Sequence, residues 1–147
     1  MKKFLLFATL VVAVFMVSCC SSEKEPDVTD VVGTWAQTHS TGKDYVNGVP
    51  VYGWDEVLDP TENKYFTLKS DKTGMLYDGE DNHYHVFTWS LKNNALTIIV
   101  EEIDVFAYKL ISIEGNTMVL WIKGENDLEP GQTGEAWYEE YVTLIRQ

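Results

Sequence analysis

Residues 64–123 read KYFTLKSDKTGMLYDGEDNHYHVFTWSLKNNALTIIVEEIDVFAYKLISIEGNTMVLWIK, and this stretch decides the fold. Short runs rich in Val, Ile, Thr and aromatic residues alternate with turn residues throughout it. That pattern marks β-strands rather than helices. Ser70-Asp71-Lys72-Thr73-Gly74 has the Asp and late Gly of a type I turn with a following bulge. Lys92-Asn93-Asn94 and Glu114-Gly115-Asn116 hold residues that accept left-handed backbone. Turns this tight join antiparallel neighbours. Strands are therefore expected near 64–69, 74–77, 84–92, 95–101, 105–113 and 117–123.

The same reading extends outward to a first strand near 33–38 and a last near 136–146. Eight strands joined in sequence make a meander, and a meander of that size closes into an up-and-down barrel. The expected fold is all-β, a single antiparallel barrel of about eight strands. Period-two alternation assigns the inward faces. Phe66 and Leu68 share one. His85, Phe87, Trp89 and Leu91 share another, as do Leu96, Ile98 and Val100, and Met118, Leu120 and Ile122. Residues 105–113 fit two phases, which a bulge would reconcile. Two stretches interrupt the meander. Residues 40–63 carry Asn47-Gly48, a hairpin signal, and residues 124–133 are acidic and rich in Gly and Pro. Long loops at one end of a barrel commonly frame its mouth.

The N-terminus reads differently. Lys2 and Lys3 precede 14 uncharged, mostly apolar residues, 4–17, and then Ser18 and Cys19. This is the layout of a secretory signal. The run is shorter than the roughly 20 residues that span a bilayer. Met16-Val17-Ser18-Cys19 resembles the end of a bacterial lipoprotein signal. The resemblance implies cleavage before Cys19, which then carries acyl chains. An ordinary signal peptide with incidental cysteines is the alternative. Each buried methylene contributes about 0.8 kcal/mol, so several chains anchor firmly where one holds only marginally. Residues 1–18 are thus expected to be a signal peptide, 19–29 a lipidated flexible tether and 30–147 one domain. Glu23 and Glu25 after the lipid site resemble the short acidic signals of surface-displayed lipoproteins of Bacteroidetes. An outer-membrane lipoprotein is expected, facing either the periplasm or the cell surface.

Residues 19–147 number 129, enough to bury a core without disulfide or metal. Both cysteines, Cys19 and Cys20, lie at the tether. The full chain carries 11 basic and 23 acidic residues. Two of the basic and none of the acidic ones fall in residues 1–18, so the remainder carries −14. Such a charge repels phosphate backbones and excludes nucleic acid as a partner. It also repels anionic lipid, which leaves the acyl chains as the membrane contact. The acidity keeps a secreted protein soluble, and it also favours a basic protein partner.

Val31-Val32-Gly33-Thr34-Trp35 opens the first strand with G-x-W, and the last strand ends Leu144-Ile145-Arg146. With the strand count, this resembles the lipocalin-like lipoproteins of Bacteroidetes and the wider calycin barrels. The resemblance implies that Trp35 packs across the closed end, that Arg146 covers it and that Gly33 lets a neighbour come close. It also implies a non-catalytic binder of a small apolar or aromatic-stacking molecule, or of a glycan fragment. The chain departs from typical lipocalins in being short, in lacking their disulfides and in showing no helix after the last strand. With five Trp, eight Tyr and six Phe, its own side chains can fill much of the barrel.

Trp54, Trp137 and Tyr138 fall in or beside the interrupting stretches, where aromatics can stack on a ligand or fill the core. Phe87 and Trp89 are further ligand candidates on an inward face. His83 and His85 place two imidazoles on one face of a strand, near Asp78, Glu80 and Asp81. Such a group can hold zinc or another divalent ion, although no third ligand stands at a fixed spacing; the alternative is a polar turn. Catalytic motifs are missing: there is no nucleophile elbow and no phosphate-binding loop. Glu101-Glu102 and Glu139-Glu140 read as solvated strand faces. No cofactor is implied.

Overall fold

In the computed structural model, residues 26–59, 64–79, 82–101 and 104–147 are described. The signal segment, Cys19, most of the tether, Glu80 and Asp81 lie outside them. The described chain begins with a short helix, α1 (Val28–Val31), and continues as nine strands. These are β1 (Gly33–Val46), β2 (Val49–Val57), β3 (Tyr65–Leu68), β4 (Thr73–Asp78), β5 (His83–Lys92), β6 (Ala95–Val100), β7 (Asp104–Glu114), β8 (Thr117–Glu125) and β9 (Ala136–Arg146).

Every neighbouring pair is antiparallel. β1 pairs β3, β3 pairs β4, and the order runs on to β9, which pairs back onto β1. Eight strands thus close the barrel, as the meander predicts. Alternation also assigns the interior correctly. Phe66, Leu68, Phe87, Trp89, Leu96, Ile98, Val100, Met118 and Leu120 are all buried in one core, Ile122 is buried too, and Leu91 and His85 at the two ends of β5's inward face are half-buried. Val142 and Leu144 of β9 join the same core. The two phases of β7 are reconciled by a register shift between Leu110 and Ser112. That bulge brings both Leu110 and, further on, Ile113 against the core.

The ninth strand comes from the stretch with no alternation. β1 runs far past the expected end at 38, turns at Asn47-Gly48 and returns as β2. One edge of β1 is paired with β9 from Trp35 to Val46. The other edge is shared: Gly33–Ala36 face β3, and His39–Val46 face β2. β2 therefore lies outside the closed ring, above β3. Val49, Val51, Tyr52 and Val57 on it are exposed. Hence its sequence lacks the period of a half-buried strand.

The closed end is sealed by α1. Asp27 caps this helix in a reciprocal capping box with Asp30. Residues 27–29, expected to be flexible tether, are instead part of this capped turn and its approach, because Val28 packs on the core and Val31 is fully buried. Helix ends leave carbonyls without partners, and here three are satisfied by side chains. Trp35 Nε1 donates to Val31 O at 2.8 Å. Arg146 Nη1 donates to Val32 O at 2.7 Å, and Nη2 to Asp30 O at 2.6 Å. The guanidinium carbon lies 4.2 Å from the centre of the Trp35 ring. Gly33 has φ +145°, and a Cβ there would stand 2.8 Å from Arg146 Nη1. Glycine is required on both counts.

Trp35→Ala is expected to cost about 3–5 kcal/mol in denaturant unfolding, the range for emptying a buried aromatic site. Arg146→Ala is expected to cost less, and a double-mutant cycle should show coupling between the two. Strict additivity would mean that the stacked contact contributes nothing.

Candidate functional site at the barrel mouth

The lower barrel is filled and the upper barrel is not. Beneath the mouth lies a cavity of about 180 Å³. Phe66, Leu76, Ile98, Val100, Phe106 and Val142 give it apolar walls, and Gln37, Lys64, Tyr108 and Glu140 add polar groups. Its position follows from where ladders stop. β7 pairs β8 only from Lys109 onward, so residues 104–108 leave that neighbour and carry Phe106 and Tyr108 over the opening. On the other side, β2 makes no ladder with β4. The upper parts of β1, β2, β8 and β9 thus stand beyond the ring as a wall with a seam on each flank.

The inner face of that wall carries an ordered polar chain. Trp54 Nε1 donates to Ser40 Oγ at 2.8 Å, and Ser40 Oγ donates to Glu140 Oε1 at 2.6 Å. Trp54 reaches Ser40 because Gly42 stands directly opposite it: a Cβ on Gly42 would lie 2.3 Å from the Trp54 ring. Tyr138 lies over Gly124 in the same manner. Cross-strand pairs of an aromatic with glycine lay these rings flat along the wall. Glu140 is in phase with buried Val142 and Leu144, so its carboxylate points inward rather than to solvent. The solvated face expected for Glu139-Glu140 holds only for Glu139, which accepts a 2.6 Å hydrogen bond from the Tyr45 hydroxyl on the outer side.

Electrostatics mark the same place. Burial pushes the Tyr108 phenol far above its ordinary range, and the charge of Glu140 and the neighbouring Tyr138 add to the shift. Tyr138 is raised too, first by burial and then by Glu140. Lys64 Nζ is engaged by Asp78 at 3.1 Å. Glu140 therefore supplies the negative group at the cavity that lacks a cationic partner among the described residues.

The ligand candidates separate into three places. Trp54 and Tyr138 flank the Ser40–Glu140 pair on the wall, outside the cavity lining itself. Trp137 faces outward, stacked on Tyr45 at 3.9 Å, with Lys123 Nζ 3.9 Å from its other face. It lines an open groove of about 720 Å³ under the β8–β9 loop. Phe87 and Trp89 are core residues: both are buried, and neither lines the cavity. Trp89 Nε1 donates to Lys69 O and Thr73 O in the turn at the closed end, and Lys72 Nζ lies over its ring. Their inward phase is right, but they sit too deep to meet a ligand at the mouth. His83 and His85 stand at the rim, with ring centres 4.7 Å apart.

A family model described as lipocalin-like domain matches residues 31–120. This chain belongs to the lipocalin-like domain family. The match takes in Val31, Gly33 and Trp35 of the sealed end, the hairpin of β1 and β2, and the ring from β3 to the first part of β8, whereas the start of α1 and all of β9, Arg146 included, lie outside it. No curated protein matches the chain. The cavity lies at the end of the barrel away from α1 and the Trp35–Arg146 contact. Sequence reasoning missed Gln37, Ser40, Tyr108 and Glu140. Of these, Glu140 was within reach, since the alternation Tyr138, Glu140, Val142, Leu144 places it inside.

The raised phenol of Tyr108 has a consequence for stability. Below about pH 10 the phenol is neutral in both folded and unfolded chains. Above that, the unfolded chain releases its proton while the folded one retains it. Stability is therefore expected to fall as pH rises from about 10. Urea unfolding across alkaline pH should show a shallower decline in Tyr108→Phe.

Proposed function

We propose that this protein is a lipid-anchored, non-catalytic envelope lipoprotein that binds a small, mostly apolar molecule bearing one hydrogen-bond donor or positive group. The observation that carries this is the cavity at the mouth with Glu140 at its edge. Six apolar side chains favour an apolar body, and 180 Å³ admits one small ring system. Ligand pockets usually run about 300–1,000 Å³, so a drug-sized molecule or an extended glycan does not fit inside. Ser40 holds one carboxylate oxygen of Glu140, which fixes the direction in which a ligand donor is received. Such charge-assisted bonds contribute about 1.5–3 kcal/mol.

Indole and tryptamine test this directly, because they share a ring and differ by an ethylammonium arm. Calorimetry is expected to give tryptamine an affinity about tenfold or more above indole. Glu140→Gln should remove most of that difference while leaving indole binding unchanged. Failure of both compounds to bind, together with no small molecule retained on protein isolated from its envelope, would overturn the reading.

Anchoring rests on the signal layout at residues 1–19. Mass spectrometry of protein from its own membrane is expected to find acyl chains on Cys19. An unmodified thiol there would remove the anchor. A second reading, capture of a basic protein, is favoured by the outer groove, where Glu125, Asp127 and Glu135 converge. Steep salt dependence of partner binding would distinguish it from small-ligand binding.

A further inference from the structure

We infer that His83, His85 and Glu101 form a binding site for a divalent transition-metal ion of the zinc class at the rim of the barrel. His83 and His85 are two apart on β5 and so project from the same face. Glu101 follows directly on β6, and the β5–β6 hairpin brings it back to them. One donor atom from each of the three lies within 4.8 Å of the others. His85 Nδ1 and Glu101 Oε1 are 2.9 Å apart. Donors around a tetrahedral ion at about 2.0–2.1 Å stand roughly 3.3 Å from one another. Small side-chain rotations at this exposed rim therefore suffice to close the set.

The chemistry of the set is selective. Two imidazoles and one carboxylate suit zinc and its first-row neighbours, whereas calcium and magnesium prefer all-oxygen ligands. Three protein ligands leave a coordination position open. Leu76, directly opposite His85, and Val100, next to Glu101, both line the cavity. The three donors thus stand beside the cavity at the rim, outside its lining. Glu101 sits at φ +50°, a left-handed conformation that disfavours residues other than glycine and asparagine. Its backbone N–H donates to Val86 O at 3.2 Å, which ties this turn to β5. Asp78, opposite His83, is already engaged by Lys64 and is not needed.

This inference does not depend on the small-ligand reading, and its test reads the metal alone. The full chain, stripped of metal, is titrated with zinc at neutral pH while the histidine ring signals are followed by NMR. The expected result is saturation at one equivalent, with His83 and His85 shifting together. His39, paired with Asp55 away from the site, provides the control and should stay in place. Observing imidazoles excludes signals from zinc bound at Cys19 or Cys20. Loss of an outer-shell partner costs metal sites about 10–100-fold in affinity, so loss of a direct ligand should cost at least about tenfold. Glu101→Gln and His83→Asn are each expected to show that loss. His83 is exposed, so its replacement leaves the fold intact. No saturable shift up to millimolar zinc would overturn the site. Unchanged affinity in either variant would overturn it as well.

Discussion

The barrel depends on β1 being paired along both edges at once. Its contact with β9 closes the ring, its contact with β3 begins it, and β2 takes the rest of that edge beyond the ring. A sheet left open there would expose two rows of backbone donors and acceptors. The seam is pinned at one end by Arg146, the last residue of β9, which bridges α1 and the Trp35 ring. A single guanidinium thus joins the first and last described elements of the domain. At the other end the seam extends into the wall beyond the ring. Its rigidity there comes from the stacked pair Tyr45–Trp137 and from Asn47, whose amide donates to Thr133 O.

This division explains why one end is solid and the other hollow. Large side chains, Trp35, Leu68, Leu96, Met118 and Leu144, are fully buried in the core toward the base. Toward the mouth the inward positions change character. Gln37, Ser40, Gly42 and Asp44 follow one another on β1, and Glu140 and Tyr138 on β9. Polar and small residues on inward positions cannot pack a dry core, because buried polar groups require partners. They instead organise into hydrogen-bonded pairs around a space.

The base was legible in the sequence because its residues obey one rule, period two with apolar residues inward. Phe66, Leu68 and Leu96 could be assigned from that rule, and Trp35 from the resemblance carried by G-x-W. The mouth was less legible because its residues break the rule. Glu140 looks like a surface charge until its phase with Val142 is fixed. Glu101 meets His85 only because the hairpin returns at that point, with a backbone turn that no residue type announced. β2 is nearly devoid of pattern, since both its faces are exposed apart from half-buried Trp54. Phe87 and Trp89 show the complementary limit. Alternation gives the direction of a side chain but not its depth along the barrel axis.

Placing α1 at the base has a consequence for orientation. The described chain enters at Pro26, which shares a surface hollow with Asp30, Glu114 and Arg146 at that sealed floor. Any force applied through the preceding residues is delivered to the floor and not to the rim. The cavity opens at the far end of the barrel from Pro26, so whatever occupies the mouth is separated from the chain's entry by the full depth of the packed core.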